Sequence, residues 1–393
     1  MTTTRWAGAA LLIAGAAACG GTASNPVGDL QAATPDVAGL ALETSGGAAE
    51  GLASTGTSTE LASAAVAAAP SCQPYQYLCN IHSALDGLNR LVRAAIGPVE
   101  ALADTPPTSV SGDAAVFGPV AFPSGTAVAD FRLTVRKSGA GSFEWELQGK
   151  PVASADGAYV VVAAGRVQRA AGDLPHRGHG ALAIDLDALA SLNPVGAPAL
   201  WNAEGKVLVG FGHAGPAKAV VYALDNFSPD RIAQPSVTSG VLAGYETASG
   251  VARVRVVSQG EYLGPTSGTD AGPEDLLSRA GWFPGKGGRA AVVVSAGDVP
   301  AYGVDFFLGL SCFDATEKDV YRALYGCKAG VCTLVDNAPA GYNTGDRSAC
   351  DPLTDIGVDD LRPPSTDRFS AAEEPGAPAV PDAPPAGMAS VTF

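Results

Sequence analysis

The sequence predicts a mainly β (α+β) protein: one large, curved antiparallel sheet or half-barrel, packed on a single long N-terminal helix and stapled by disulfides. Three observations predict it. Apolar residues recur every three to four positions from Ile81 to Leu102, the pattern of a helix with one buried face. Beyond Pro106 and Pro107 come strand-length segments punctuated by Gly, Pro, Asn and Asp, with few helical stretches between them. Six of the seven cysteines lie between positions 72 and 350, an even set of the kind that exported proteins oxidise.

The helix carries Ile81, Leu85, Leu88, Val92, Ala95, Val99 and Leu102 on one side and His82, Asp86, Asn89, Arg90, Arg93 and Glu100 on the other. One stripe implies one apolar surface to lie on, with His82 on the polar face. Gly97 and Pro98 are expected to kink the helix or end it near Ile96, since proline has no N–H for the helical ladder.

Strands are expected near Val116 to Phe122, Val128 to Lys137, Ser142 to Gly149, Tyr159 to Gln168, Gly180 to Asp187, Lys206 to Gly212, Ala217 to Leu224, Val251 to Gly260, Arg289 to Ala296 and Val304 to Cys312. Phe131, Leu133 and Val135 alternate with Arg132, Thr134 and Arg136, as in a strand with one covered face. The glycine-rich turn from Lys137 to Gly141 joins it to a strand where Phe143, Trp145 and Leu147 alternate with Glu144, Glu146 and Gln148. That makes a hairpin, with Arg132 and Arg136 facing Glu144 and Glu146. Helices are expected at Asp185 to Leu192, Glu274 to Ala280 and Thr316 to Leu324, the last with Asp314 as N-cap. Short connections with few intervening helices argue against βαβ units.

At 393 residues the chain is long enough for a large core, yet only 16% of it is charged, with 49 Gly and 29 Pro. The formal charge of −15 disfavours a nucleic-acid partner, which wants clustered Lys and Arg to neutralise its phosphates. Most of that charge sits at the ends. Residues 19–71 carry −5 and residues 351–393 carry −6, leaving −5 for residues 72–350. Residues 20–70 lack Lys, Arg, His, Met and every aromatic, so a disordered acidic tether is expected there. The Pro-rich acidic segment 351–393 is expected to be a disordered tail. The domain reading is therefore a signal peptide at 1–18, a tether at 19–71, a core at 72–350 and a tail at 351–393.

Arg5 followed by small and apolar residues from Ala7 to Ala18 has the length of a signal-peptide core and is too short to span a bilayer. Ala17 and Ala18 precede Cys19, and Gly20 follows it. This resembles the lipobox of bacterial exported lipoproteins, with Ala16 where Leu is usual. The resemblance implies that Cys19 is the lipid-attachment site and the mature N-terminus. The protein would then be exported and held in the cell envelope, anchored to the outer membrane by its acyl chains. Cys72, Cys79, Cys312, Cys327, Cys332 and Cys350 are expected to form three disulfides, with 15 connectivities open. The simplest of them joins Cys72 to Cys79 and pairs the other four among themselves.

No motif of an established catalytic class occurs: G-x-S-x-G, Walker and HExxH patterns are all missing. Gly210, Gly212 and Gly215 match G-x-G-x-x-G, but Pro216 leads into an apolar β-like run where a dinucleotide site needs a helix N-terminus. They read as a glycine hairpin. His176 and His179 are the weak metal candidates, with Asp185 or Asp187 to complete a site. The alternative is a solvent-facing polar loop. Trp145, Trp201, Trp282, Phe306 and Phe307 line either a lipid or sugar pocket or the ordinary core.

The architecture of a curved sheet over a helix resembles periplasmic half-barrel lipid carriers of the LolA and LppX kind. That resemblance implies a non-enzymatic protein, without cofactor, that binds a hydrophobic ligand or an envelope protein in a sheet/helix cleft. The competing expectation is a structural or surface module with no small-molecule site. An enzyme ranks behind both.

Overall fold

A computed structural model of the chain describes residues 26–42, 73, 75–122, 129–152, 154–170, 173–192, 204–214, 217–228, 237–246, 252–260, 263, 271–283 and 285–350. The expected signal peptide, Cys19, Cys72, Trp201 and the tail at 351–393 lie outside the described residues.

The protein is mainly β, built on one antiparallel ladder in which each strand pairs with its neighbour in sequence. The strands are β1 (Ser109–Ser111), β2 (Ala114–Phe122), β3 (Ala129–Gly139), β4 (Ser142–Pro151), β5 (Val160–Gln168), β6 (His179–Asp185), β7 (Glu204–Ala214), β8 (Ala217–Ser228), β9 (Val237–Glu246), β10 (Ala252–Gly260), β11 (Glu274–Phe283), β12 (Gly287–Ala296), β13 (Phe306–Phe313), β14 (Asp319–Lys328) and β15 (Val331–Leu334), with β16 (Thr344–Gly345) beside β14. The sheet is open: β1 pairs with β2 and β15 with β14. The helices are α1 (Pro26–Ala32), α2 (Val37–Leu40), α3 (Tyr77–Ala103) and α4 (Leu186–Ser191).

The long helix α3 is the cover that the single stripe requires. It packs against β2 and β3 toward one edge of the sheet and against β11, β12 and β13 toward the other, so the sheet has to curve round it. Leu85, Val92, Ile96 and Val99 are wholly buried there, in one core with Phe117, Phe131 and Leu133. Each such side chain contributes on the order of 1.5–3 kcal/mol by leaving water. The helix does not end near Ile96. It continues through Pro98 to Ala103, because burial of Val99 and Leu102 offsets the hydrogen bond that proline removes.

The β3–β4 hairpin turns at Ala140 and Gly141, with Gly141 at φ +69. Arg136 meets Glu144 as expected, at 2.8 Å, and Arg166 from β5 joins the same carboxylate. Arg132 instead donates to Gln148 and lies over the Tyr159 ring. The helix expected after Asp185 forms as α4, whose N-cap Asp185 accepts from the Ala188 N–H.

Two segments expected as helices are strands. Residues 274–280 belong to β11 and residues 319–324 to β14. Strands between two others can be covered on both faces, and their sequences then lose the alternation that marks a half-exposed strand. Leu277, Leu310 and Ala323 face one apolar cluster, while Ala280, Ala290 and Phe313 face the other. Asp314 caps a tight turn, not a helix: its carboxylate accepts from Thr316 and Lys318. Strands β1, β9, β15 and β16 are additions to the expected set.

The tether expectation fails for residues 26–42. Leu30, Leu40 and Leu42 are buried in the main core, and the backbone of this segment is held by side chains from far along the chain. Gln31 donates to the Ala103 carbonyl, Asn89 bonds both the N–H and the carbonyl of Leu42, Tyr222 donates to the Leu40 carbonyl and Lys218 to the Ala41 carbonyl. A composition average over the segment misses three leucines whose partners lie elsewhere in the chain.

Two disulfides are Cys312–Cys350 and Cys327–Cys332. Cys79 is disulfide-bonded as well, while its expected partner Cys72 lies outside the described residues. Disulfides point to a non-reducing, extracytoplasmic environment. Among the described residues no helix is long and apolar enough to cross a membrane.

Candidate functional site

The residues singled out in the sequence are dispersed by the fold. His176 is a backbone clasp: its Nδ1 lies 2.8 Å from the Thr34 carbonyl, and its N–H donates to the Ala32 carbonyl. His179 is exposed at the start of β6, beside Gln168 and Gly212. Asp185 caps α4 and Asp187 accepts from the Gly205 N–H, so neither carboxylate is turned toward a common centre with the histidines. No group of three metal-ligating side chains forms among the described residues. Gly210 and Gly212 lie within β7, which runs straight into the β8 hairpin.

His82 is not on a solvated face. It packs edge-on against Trp282, and burial pushes its pKa down to about 4. Trp145 is core, filling the space that Gly165 leaves open. Phe306 and Phe307 point to opposite faces of β13, as consecutive strand residues must.

The sheet brings together a different set of residues. On the face that α3 covers, strand register aligns two rows across β10 to β14. One row is Ser258, Leu276, Val294 and Phe307. The next is Val256, Ser278, Val292, Gly309 and Leu324. The apolar members Val256, Leu276, Val292, Val294, Phe307 and Leu324 are only half-buried, whereas the same face toward Trp282 and Phe313 is sealed. An apolar strip on the inner face is thus left incompletely covered.

Two hydroxyls border the strip. The Tyr77 side chain, from the first residue of α3, reaches β13 where Gly309 leaves room, and a Cβ at 309 would collide with it. Its hydroxyl is buried without a hydrogen-bond partner, as is that of Ser278 in the same row. Burial raises the Tyr77 pKa, so the phenol stays protonated and keeps a proton to donate. One row further on, Ser311 stands opposite Arg322, whose guanidinium pairs with Asp319 at 3.4 Å and lies over the Tyr75 ring.

Apolar walls with a few unspent polar groups are the usual make-up of a small-molecule site. Orphaned buried hydroxyls cost roughly 1–3 kcal/mol each unless something bonds to them. Such an arrangement can hold an apolar group along the strip and hydrogen-bond a polar one at Tyr77 and Ser278. None of this was visible in the sequence, because Ser278 and Gly309 are aligned only by β11–β13 register and Tyr77 reaches them only through the packing of α3 on the sheet. No protein-family model, curated protein or solved structure matches the chain.

Proposed function

We propose that this is an exported, lipid-anchored envelope protein that binds an amphiphilic ligand non-enzymatically. The acyl or other apolar part lies along Val256, Leu276, Val292, Val294 and Leu324, and the polar end accepts from Tyr77 and donates to or accepts from Ser278. The observation that carries this reading is the half-buried apolar strip with two unpartnered hydroxyls beside it. The anchor rests on Cys19 and the small residues before it, together with disulfides that need an oxidising compartment.

Native mass spectrometry of the purified full chain tests it. A bound amphiphile, or saturable binding of a hydrophobic dye that the Val294→Asp variant loses, supports the reading. A clean apo mass with no dye binding overturns it and leaves the second reading, a structural or surface module. That alternative draws on the wholly buried contacts between α3 and the sheet, which fill much of the concave side. Metabolic palmitate labelling tests the anchor: a Cys19→Ala variant that still partitions with membranes removes it.

A further inference from the structure

One row beyond the apolar strip, the inner face of the sheet holds more hydrogen-bond donors than it uses. Gly309 and Ser311 stand on the same face of β13, about 7 Å apart along the strand. Tyr77 places its hydroxyl over Gly309, and Arg322 on β14 is the strand partner of Ser311. Arg322 and Asp319 are near enough for their charges to act on the Tyr77 phenol. Tyr77 is 5% exposed and Ser311 1%, and neither hydroxyl has a hydrogen-bond partner. Arg322 repeats the pattern. Asp319 lies 3.4 Å from its Nε and balances its charge, yet Nε and Nη1 are both buried without an acceptor. Leu324, two residues on from Arg322 and on the same face, belongs to the strip, so these donors stand at the strip's end.

What is unmet here is hydrogen bonding and not charge, and that selects among ligands. A carboxylate or phosphate would bring a full negative charge to a guanidinium that already has Asp319 beside it, and the added charge would go uncompensated in a half-buried place. An ammonium brings donors only, and an alcohol one donor more, to side chains that already lack acceptors. An ester brings two acceptor oxygens, no donor and no charge.

We propose that the polar end of the ligand is an ester, whose carbonyl oxygen accepts from Tyr77 and from Ser311 or Arg322 while its acyl chain runs over Leu324 toward Val292 and Val294. This ligand class rests on the amphiphile reading above and narrows it to uncharged acyl esters.

Displacement of a hydrophobic dye from the full chain by three ligands of one chain length tests it: methyl dodecanoate, dodecanoate and dodecanol at neutral pH. The ester is expected to bind about tenfold more tightly than either of the others, the factor that one added hydrogen bond gives. Tyr77→Phe and Ser311→Ala each remove a hydroxyl that bonds to nothing in the protein, so both variants are expected to fold. Each should weaken the ester by about tenfold and the other two ligands by less. With an isotope label at the ester carbonyl, the infrared stretch of the bound ester is expected at lower frequency than in hexane and to move back toward the hexane position in the double variant. Equal binding of all three ligands, tighter binding of the acid or the alcohol, or a carbonyl stretch at the hexane position would overturn the ester and leave the apolar strip standing. No binding by any of the three, with no dye uptake, would remove the strip reading and the ester with it.

Discussion

His82 meets Trp282 edge-on, with ring centroids 5.5 Å apart and planes at 81°. This places an ionisable ring of α3 inside the contact between the helix and β11. Burial holds its pKa at about 4 against an ordinary 6.5. The folded state therefore prefers the neutral ring, and protonation is easier in the unfolded chain. The stability that comes from keeping the ring neutral is complete above pH 6.5 and is lost as the pH falls toward 4, with the Glu317 carboxylate, 3.6 Å from Nδ1, working against the loss. Denaturant midpoints measured from pH 7 to pH 4 are expected to fall. A His82→Phe variant is expected to flatten that part of the curve, and an equally steep fall in the variant would assign the effect to other groups.

Tyr77 and Gly309 give opposite expectations. Gly309→Ala drives a methyl into the phenol and is expected to destabilise by about 1–3 kcal/mol. Tyr77→Phe removes a buried hydroxyl with no partner, so the ligand-free protein should be unchanged or up to about 1 kcal/mol more stable. Ligand or dye affinity should nevertheless fall. Thermal denaturation with and without dye separates the two effects, and a large loss of apo stability in Tyr77→Phe would mean that the hydroxyl is bonded within the protein.

Gly165 is a packing glycine of the same kind. A Cβ there would stand 2.6 Å from the Trp145 indole, and the β4–β5 sheet leaves that ring nowhere to go. Gly165→Ala is expected to cost about 1–3 kcal/mol and to alter the near-ultraviolet signal of the indole. An unchanged melting temperature and spectrum would refute this packing.

Tyr222 fastens the N-terminal segment through the Leu40 carbonyl. Tyr222→Phe is expected to cost about 1–2 kcal/mol and to speed amide exchange across residues 37–42 more than across α3. Uniform acceleration over both would show that the segment has no separate fastening.

The Cys312–Cys350 and Cys327–Cys332 disulfides enclose very different loops, with sequence separations of 38 and 5. Chain-entropy reasoning assigns about 4 kcal/mol to the longer and about 2 to the shorter. Double Cys→Ser replacement at 312 and 350 is therefore expected to lower the unfolding midpoint more than replacement at 327 and 332. The reverse order in chemical denaturation would refute the ranking.

The architecture was legible where one face of an element is wet. The Ile81–Leu102 stripe and the alternation from Phe131 to Val135 both reported their buried sides faithfully. Legibility failed where neither side is fully wet, as in β11 and β14, since a strand apolar on both faces reads like a short amphipathic helix. It failed again at residues 26–42, whose leucines gain meaning only from Asn89, Lys218 and Tyr222. The candidate site was illegible for a third reason: it consists of what packing leaves over, and residue type cannot show which hydroxyl will lack a partner.

The helix that touches β2 and β3 also touches β11 to β13, and this sets an order of events. A ladder that pairs β1 to β15 in chain order can be assembled hairpin by hairpin as the polypeptide emerges. The apolar stripe of α3, by contrast, is synthesised early and cannot be fully covered until β13 arrives some two hundred residues later. The nascent chain thus carries a sticky helix through most of the synthesis of the sheet. Formation of the Cys312–Cys350 bond, which needs β13 in place, is the chemical mark that the wrap is finished.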